Sequence, residues 1–153
     1  MTISKAHWAG IGTKLKEWLS AVEFTLNGQS IKMYKHFIAE NKTGILVFID
    51  GVQNQGWGMP DHESFNPLVK QIWRKKTYRP GASFARKMSK QKGGKAWLKR
   101  KENAYLFEVK EYYLPYFDTA AAVVRQYKKI EGLELVDSDK YLPAPEAEND
   151  LNV

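Results

Sequence analysis

Asp50, Glu108 and Lys110 are the residues whose types and spacing come nearest to catalysis. A carboxylate at a strand end, with an acid and a lysine two positions apart on a later strand, is a layout used by many metal-dependent nucleases. Residues i and i+2 share one face of a strand, so Glu108 and Lys110 would point the same way. Against this, Asp50-Gly51 is already explained as a turn, and a cross-strand ion pair accounts more simply for Glu108 and Lys110. Asp61, His62 and Glu63 form a second cluster. Successive residues at a helix start face different directions, so N-capping and first-turn charge against the helix dipole explain them better than a metal. His7, His36 and His62 lack ligand spacing, and the chain has no cysteine. Gly93-Gly94 lies among Lys90, Lys92 and Lys95, but no Walker-type motif opens a helix there. Ser20, Ser64 and Ser83 lack the context of a nucleophile elbow. The reading is non-enzymatic, with no catalytic residue, metal or cofactor assigned; a metal-dependent nuclease is the catalytic option that remains.

Binding chemistry is far more prominent. Between Ser64 and Lys101 there is no acidic residue and there are thirteen basic ones: Lys70, Arg74, Lys75, Lys76, Arg79, Arg86, Lys87, Lys90, Lys92, Lys95, Lys99, Arg100 and Lys101. The formal charge of the whole chain is +7, so the remainder is net acidic. Trp73, Tyr78, Phe84, Trp97 and Tyr105 are interleaved with the cations. Lysine and arginine that neutralise phosphates release counterions, which makes affinity electrostatic and salt-sensitive. Aromatic side chains add base stacking on single strands. The expected nucleic-acid contacts are Lys70, Arg74, Lys75, Arg79, Arg86, Lys87, Lys90, Lys92, Lys95, Lys99, Arg100 and Lys101 on phosphates, with Phe84 and Trp97 on bases. Trp73 belongs to an apolar stripe and is assigned to the core. The alternative partner is an acidic protein surface, because Tyr, Trp and Arg are also favoured interface anchors.

Elements must hold this segment in place. Ile11, Leu15, Trp18 and Leu19 predict a short helix over Thr13–Ser20. Val22, Phe24 and Leu26 alternate with polar residues up to Asn27-Gly28, a strong two-residue hairpin signal. The return strand spans Ser30–Ile38. Ile45–Ile49 is a continuous apolar run suited to a central strand, with Val52–Trp57 expected to return after Asp50-Gly51, giving a four-stranded meander. Phe65, Leu68, Val69, Ile72 and Trp73 place a helix over Glu63–Lys76. From Thr77 to Lys101 no period persists, and Pro80-Gly81 and Gly93-Gly94 punctuate the run, so residues 77–102 read as a long mobile arm. A strand over Ala104–Tyr113, a helix over Asp118–Ile130 and a last strand at Leu133–Val136 follow. From Asp137 onward five acids, one lysine and two prolines read as a disordered acidic tail over residues 137–153, able to compete for the arm.

These elements predict one α+β domain over residues 1–136, an antiparallel sheet of about five or six strands with two or three helices packed on it. The expected core is Phe24, Leu46, Phe48, Leu68, Ile72, Phe107, Val124 and Tyr127. No apolar stretch nears the roughly 18–20 residues that cross a bilayer, and no secretory signal pattern opens the chain. A cytoplasmic protein with no membrane partner is expected. Ile31–Gly51 (IKMYKHFIAENKTGILVFIDG) and Tyr113–Val136 (YLPYFDTAAAVVRQYKKIEGLELV) resemble stretches of small uncharacterised proteins of tailed bacteriophages. The resemblance implies a host-cytoplasmic setting during infection and carries over no catalytic or binding residue. The basic arm lies outside the matching stretches.

Overall fold

Asn27 and Gly28 adopt φ of 53° and 81°, the left-handed pair that a type I′ turn requires. They join β1 (Val22–Leu26) to β2 (Gln29–Ala39), with Leu26 opposite Gln29. β3 (Lys42–Ile49) returns along β2. The computed structural model describes residues 3–143. The meander stops at three strands, not the four expected. After Asp50-Gly51 only Val52 bridges back to Ile49, and the Asp50 carboxylate accepts the Ser30 N–H at 2.9 Å, closing the turn onto β2. The outer edge of β3 is taken instead by β6 (Tyr116–Phe117), and that of β1 by β7 (Glu134–Leu135). The result is a five-stranded antiparallel sheet ordered β6-β3-β2-β1-β7 in a single α+β domain. Two-residue edge strands leave little unpaired backbone at either rim.

One face of the sheet carries the core. Val22, Phe24, Leu26, Ile31, Met33, Ile45, Val47 and Ile49 are buried there. α1 (Lys5–Lys16) covers them with Trp8, Ile11 and Leu15, and α5 (Ala120–Tyr127) with Val123 and Tyr127. Trp8 and Tyr127 both meet Phe24, at centroid distances of 6.0 and 5.4 Å. α1 begins earlier than the sequence suggests, because Ser4 caps it by accepting the His7 N–H at 3.2 Å. It ends before Trp18 and Leu19, whose φ is 59°.

The apolar stripe at Leu68–Trp73 yields only one helical turn, α2 (Val69–Ile72). Asn66 precedes Pro67, which disfavours helix at the residue before it, so the expected start at Glu63 fails. At the other end Arg74–Tyr78 is strand β4, paired with β5 (Lys110–Leu114). Tyr127 and Gln126 fasten this junction. The Tyr127 hydroxyl donates to Ile72 O at 2.6 Å, and the Gln126 amide donates to Gln71 O and Trp73 O at 2.8 Å each. Burial raises the Tyr127 hydroxyl well above its ordinary pKa, keeping it a donor.

Phe24, Leu68, Ile72 and Tyr127 are buried as expected. Leu46 and Phe48 are half-buried on the opposite face, since Ile45, Val47 and Ile49 take the core side. Val124 is half-buried, and Phe107 is exposed because residues 101–107 form a 3-10 helix that turns Leu106 inward. The expected strand over Ala104–Tyr113 therefore shortens to β5. The ordered chain also runs past Val136: Ser138–Tyr141 makes a 3-10 turn and buries Tyr141 against α1. The remainder of the expected acidic tail, residues 144–153, lies outside the described residues. No described helix is long and apolar enough to cross a membrane.

Candidate functional site

The basic segment, expected as a long mobile arm over 77–102, is built largely of short helices. After β4 the chain forms α3 (Ala82–Ser89) and α4 (Gly94–Leu98), then enters the 3-10 helix at Lys101. Ala85, Leu98 and Leu106 make a small core of their own, with Met88 and Trp97 packed on it. The paired glycines are a packing requirement rather than a flexible joint. Gly93 sits at φ 74°, and a Cβ on Gly94 would lie 1.6 Å from Met88 O. Only a glycine lets α4 approach the end of α3 that closely. Asn103, buried, donates its side-chain amide to Trp97 O at 2.8 Å and closes the third side. We refer to residues 79–107 as the basic module.

The module faces outward with charge. Arg86, Lys87, Lys90, Lys92, Lys95, Lys99, Arg100 and Lys101 are all exposed. None of them has a carboxylate within ion-pair distance among the described residues. The same holds for Lys70, Lys76 and Arg79. Lys70 lies 5.7 Å from the Phe65 ring, and Arg79 lies 5.3 Å from the Phe107 ring.

The two remaining cations of the segment are committed within the protein. Arg74 pairs with Asp118, which Lys42 also approaches at 3.3 Å. Burial pushes the Asp118 carboxyl up, but the hydrogen bonds and charges of Lys42 and Arg74 outweigh it and hold the group below its ordinary value. Lys75 meets Glu111 at 2.8 Å. That hydrogen bond holds the Glu111 carboxyl low and the Lys75 ammonium high. Arg74 and Lys75 thus belong to the β4–β5 ribbon, not to the basic outer face of a helix, and are less available to a ligand than the module cations.

Phe84 and Trp97 meet edge to face, with centroids 6.1 Å apart. They pack on the module rather than pinning it to the sheet. Phe84 is 48% exposed, and Trp97 is half-buried. Trp73 is fully buried in the main core. Sequence reasoning missed Phe107 and Val109 as surface groups: both are exposed beside Tyr105, which is 62% exposed. Their alternation resembles a half-buried strand, and only the burial of Leu106 in the module core reveals the helical turn.

The catalytic layout does not assemble. Glu108 ends the 3-10 helix instead of sharing a strand face with Lys110, and Lys110 approaches Asp61 at 3.5 Å. Asp50 holds its turn. Asp61, His62 and Glu63 start no helix; the His62 ring instead lies 2.6 Å from the Ser64 hydroxyl. Among the described residues no group of three or more His, Asp or Glu is placed to hold a metal ion. Compared with protein families, curated proteins and solved structures, the chain matches none.

Proposed function

We propose that the protein binds nucleic acid with little sequence specificity and without catalysing a reaction, using the basic module on phosphates. One observation carries this reading. Eight exposed cations, Arg86 to Lys101, stand on a folded surface without carboxylate partners among the described residues. The only acid between Ser64 and Phe107 is Glu102. Uncompensated positive charge gathered on a folded surface is costly for a compact state unless a polyanion meets it. Point-charge contacts to phosphate fix position and carry no sequence information, hence the low specificity.

The test is a binding titration by fluorescence anisotropy against single-stranded DNA, duplex DNA and RNA over a range of salt. With six to eight phosphates engaged on duplex, the log–log slope is expected near −5 to −7. A slope near zero on all three would overturn the reading. A second reading, docking on an acidic protein surface, draws on the exposure of Tyr105, Phe107 and Val109 beside the cations. Capture from lysate before and after nuclease treatment separates the two: a partner that survives nuclease favours the second.

A further inference from the structure

The geometry points to the helix-free face of the sheet as a stacking platform for the bases of a single-stranded nucleic acid, extending the contact made by the basic module; the inference rests on the nucleic-acid reading above. Alternation places Lys32, Tyr34 and His36 of β2, Leu46 and Phe48 of β3, and Tyr116 of β6 on this face. The rings that α1 and α5 contribute, Trp8 and Tyr127, meet Phe24 and Phe117 on the other side. On the open side Tyr34 and Phe48 lie nearly parallel, 13° apart with centroids 5.4 Å distant. His36 follows at 6.2 Å from Tyr34, and Trp18 stacks on His36 at 5.7 Å. Phe37, next to His36 in β2 and so turned to the other side, meets Trp18 edge to face at 5.1 Å. Trp18 and Phe37 are 46% and 52% exposed.

The rings of this face, half-buried but for exposed Trp18, form two stacked pairs, Tyr34–Phe48 and Trp18–His36, which meet edge to face where Tyr34 abuts His36 at 85°. Every nucleobase offers a π-face, and sheet-borne aromatics stack unpaired bases irrespective of sequence. A duplex keeps its bases stacked on each other and has none to offer such a surface.

Charge on this face is mixed, so the rings rather than the charges select the occupant. Lys32 sits opposite Phe48 in the β2–β3 register and opposite Glu23 in the β1–β2 register, with no carboxylate within ion-pair distance among the described residues. Of the acids on this side, Glu23 accepts the Ser30 hydroxyl at 2.9 Å and keeps its charge, Glu134 opposite Thr25 is exposed, and Asp118 is neutralised by Arg74 and Lys42. The route to the module is covalent. β5 runs through Pro115 into β6, and its period aligns Tyr112 and Leu114 with Tyr116. Across the β4–β5 ribbon Lys76 faces Tyr112, and Tyr78 meets Tyr112 edge to face at 5.6 Å. A single strand held on the module therefore finds the Tyr78–Tyr112 pair with Lys76, then Tyr116, then the Phe48–Tyr34 pair with Lys32.

The test uses the full chain, oligothymidylate as the single-stranded probe and a duplex of equal length. The double variant Tyr34→Leu/Phe48→Leu keeps apolar cover on the sheet and removes the rings. Stacking on these rings predicts that single-strand affinity falls about 5- to 150-fold per lost ring, while duplex affinity and both salt slopes stay unchanged. A second readout needs no variant: a bromodeoxyuridine-substituted strand, irradiated on the wild-type protein, is expected to crosslink within residues 29–49. Unchanged single-strand affinity in the double variant, or crosslinks confined to the module, overturns the platform and leaves the module reading intact. Absence of any binding by the wild type overturns both. If sedimentation shows the wild type self-associating, and the double variant abolishes that without altering single-strand affinity, the face is a contact between copies and the platform is refuted.

Discussion

Replacing Asn103 by alanine tests whether the basic module folds as a unit of its own. Asn103 is buried, and its amide donates to Trp97 O at 2.8 Å, joining the 3-10 helix to α4. The Trp97 carbonyl also accepts from the Arg100 N–H at 3.1 Å, so the substitution removes one bond without orphaning the acceptor. The cost is therefore about 1–2 kcal/mol, a factor of roughly 5–30 in an opening equilibrium. A core of Ala85, Leu98 and Leu106 is small beside the main core, so the module opens at lower free energy than the sheet. Native-state amide exchange reads the two separately. Ala85 N–H bonds to Gly81 O at 2.8 Å, Trp97 N–H to Gly93 O at 3.1 Å, and Val47 N–H, in the sheet, to Pro115 O at 2.9 Å. In Asn103→Ala the first two amides are expected to exchange roughly 5- to 30-fold faster, with Val47 unaltered. Equal acceleration at Val47 would show one cooperative unit instead of two, and no acceleration anywhere would show that the amide contributes nothing. Either result refutes the reasoning.

Asp118, held below its ordinary value of 3.8, contributes stability that is present above that value and is lost as pH falls through its lower folded pKa. Asp118→Asn is expected to lower the neutral-pH urea midpoint modestly, by about 1 kcal/mol or less in stability. It should also lose less stability than the wild type on acidification; an identical acid profile would discount the Lys42–Asp118–Arg74 cluster. Chain shortening separates fold from charge at the C-terminus. Truncation after Val136 removes buried Tyr141 and should cost about 2–4 kcal/mol by thermal unfolding. Truncation after Pro143 removes Glu146, Glu148 and Asp150, keeps Tyr141, and should tighten nucleic-acid binding at low salt only. Unchanged low-salt affinity would count against tail competition.

The parts of this fold that were legible are those written locally. Asn27-Gly28 encodes its turn in two residues with left-handed φ. α5 repeats its apolar residues long enough for the helical period to show, from Ala120 through Val123 to Tyr127. The run Ile45–Ile49 is apolar at every position, so nothing in it tells which side faces the core, and Leu46 and Phe48, expected in the core, lie on the other face. That parity also hid the stacked rings, because Tyr34 gains a neighbour only when Phe48 points outward. The module cations were legible from composition alone. Its helices were not, since eight and five residues give too few turns to establish a period, and Ala85, Leu98 and Leu106 meet only in three dimensions. The pairing of Arg74 with Asp118 and of Lys75 with Glu111 is likewise non-local.

The contact between position 94 and the Met88 carbonyl has a consequence for how this protein tolerates change. A saturation library across residues 86–101 would find the eight cations individually replaceable, each costing a fraction of the affinity, while position 94 accepted nothing larger than a hydrogen. Lineages diverging from this chain are thus free to redistribute lysines over the module's surface, provided the corner between its two short helices stays bare.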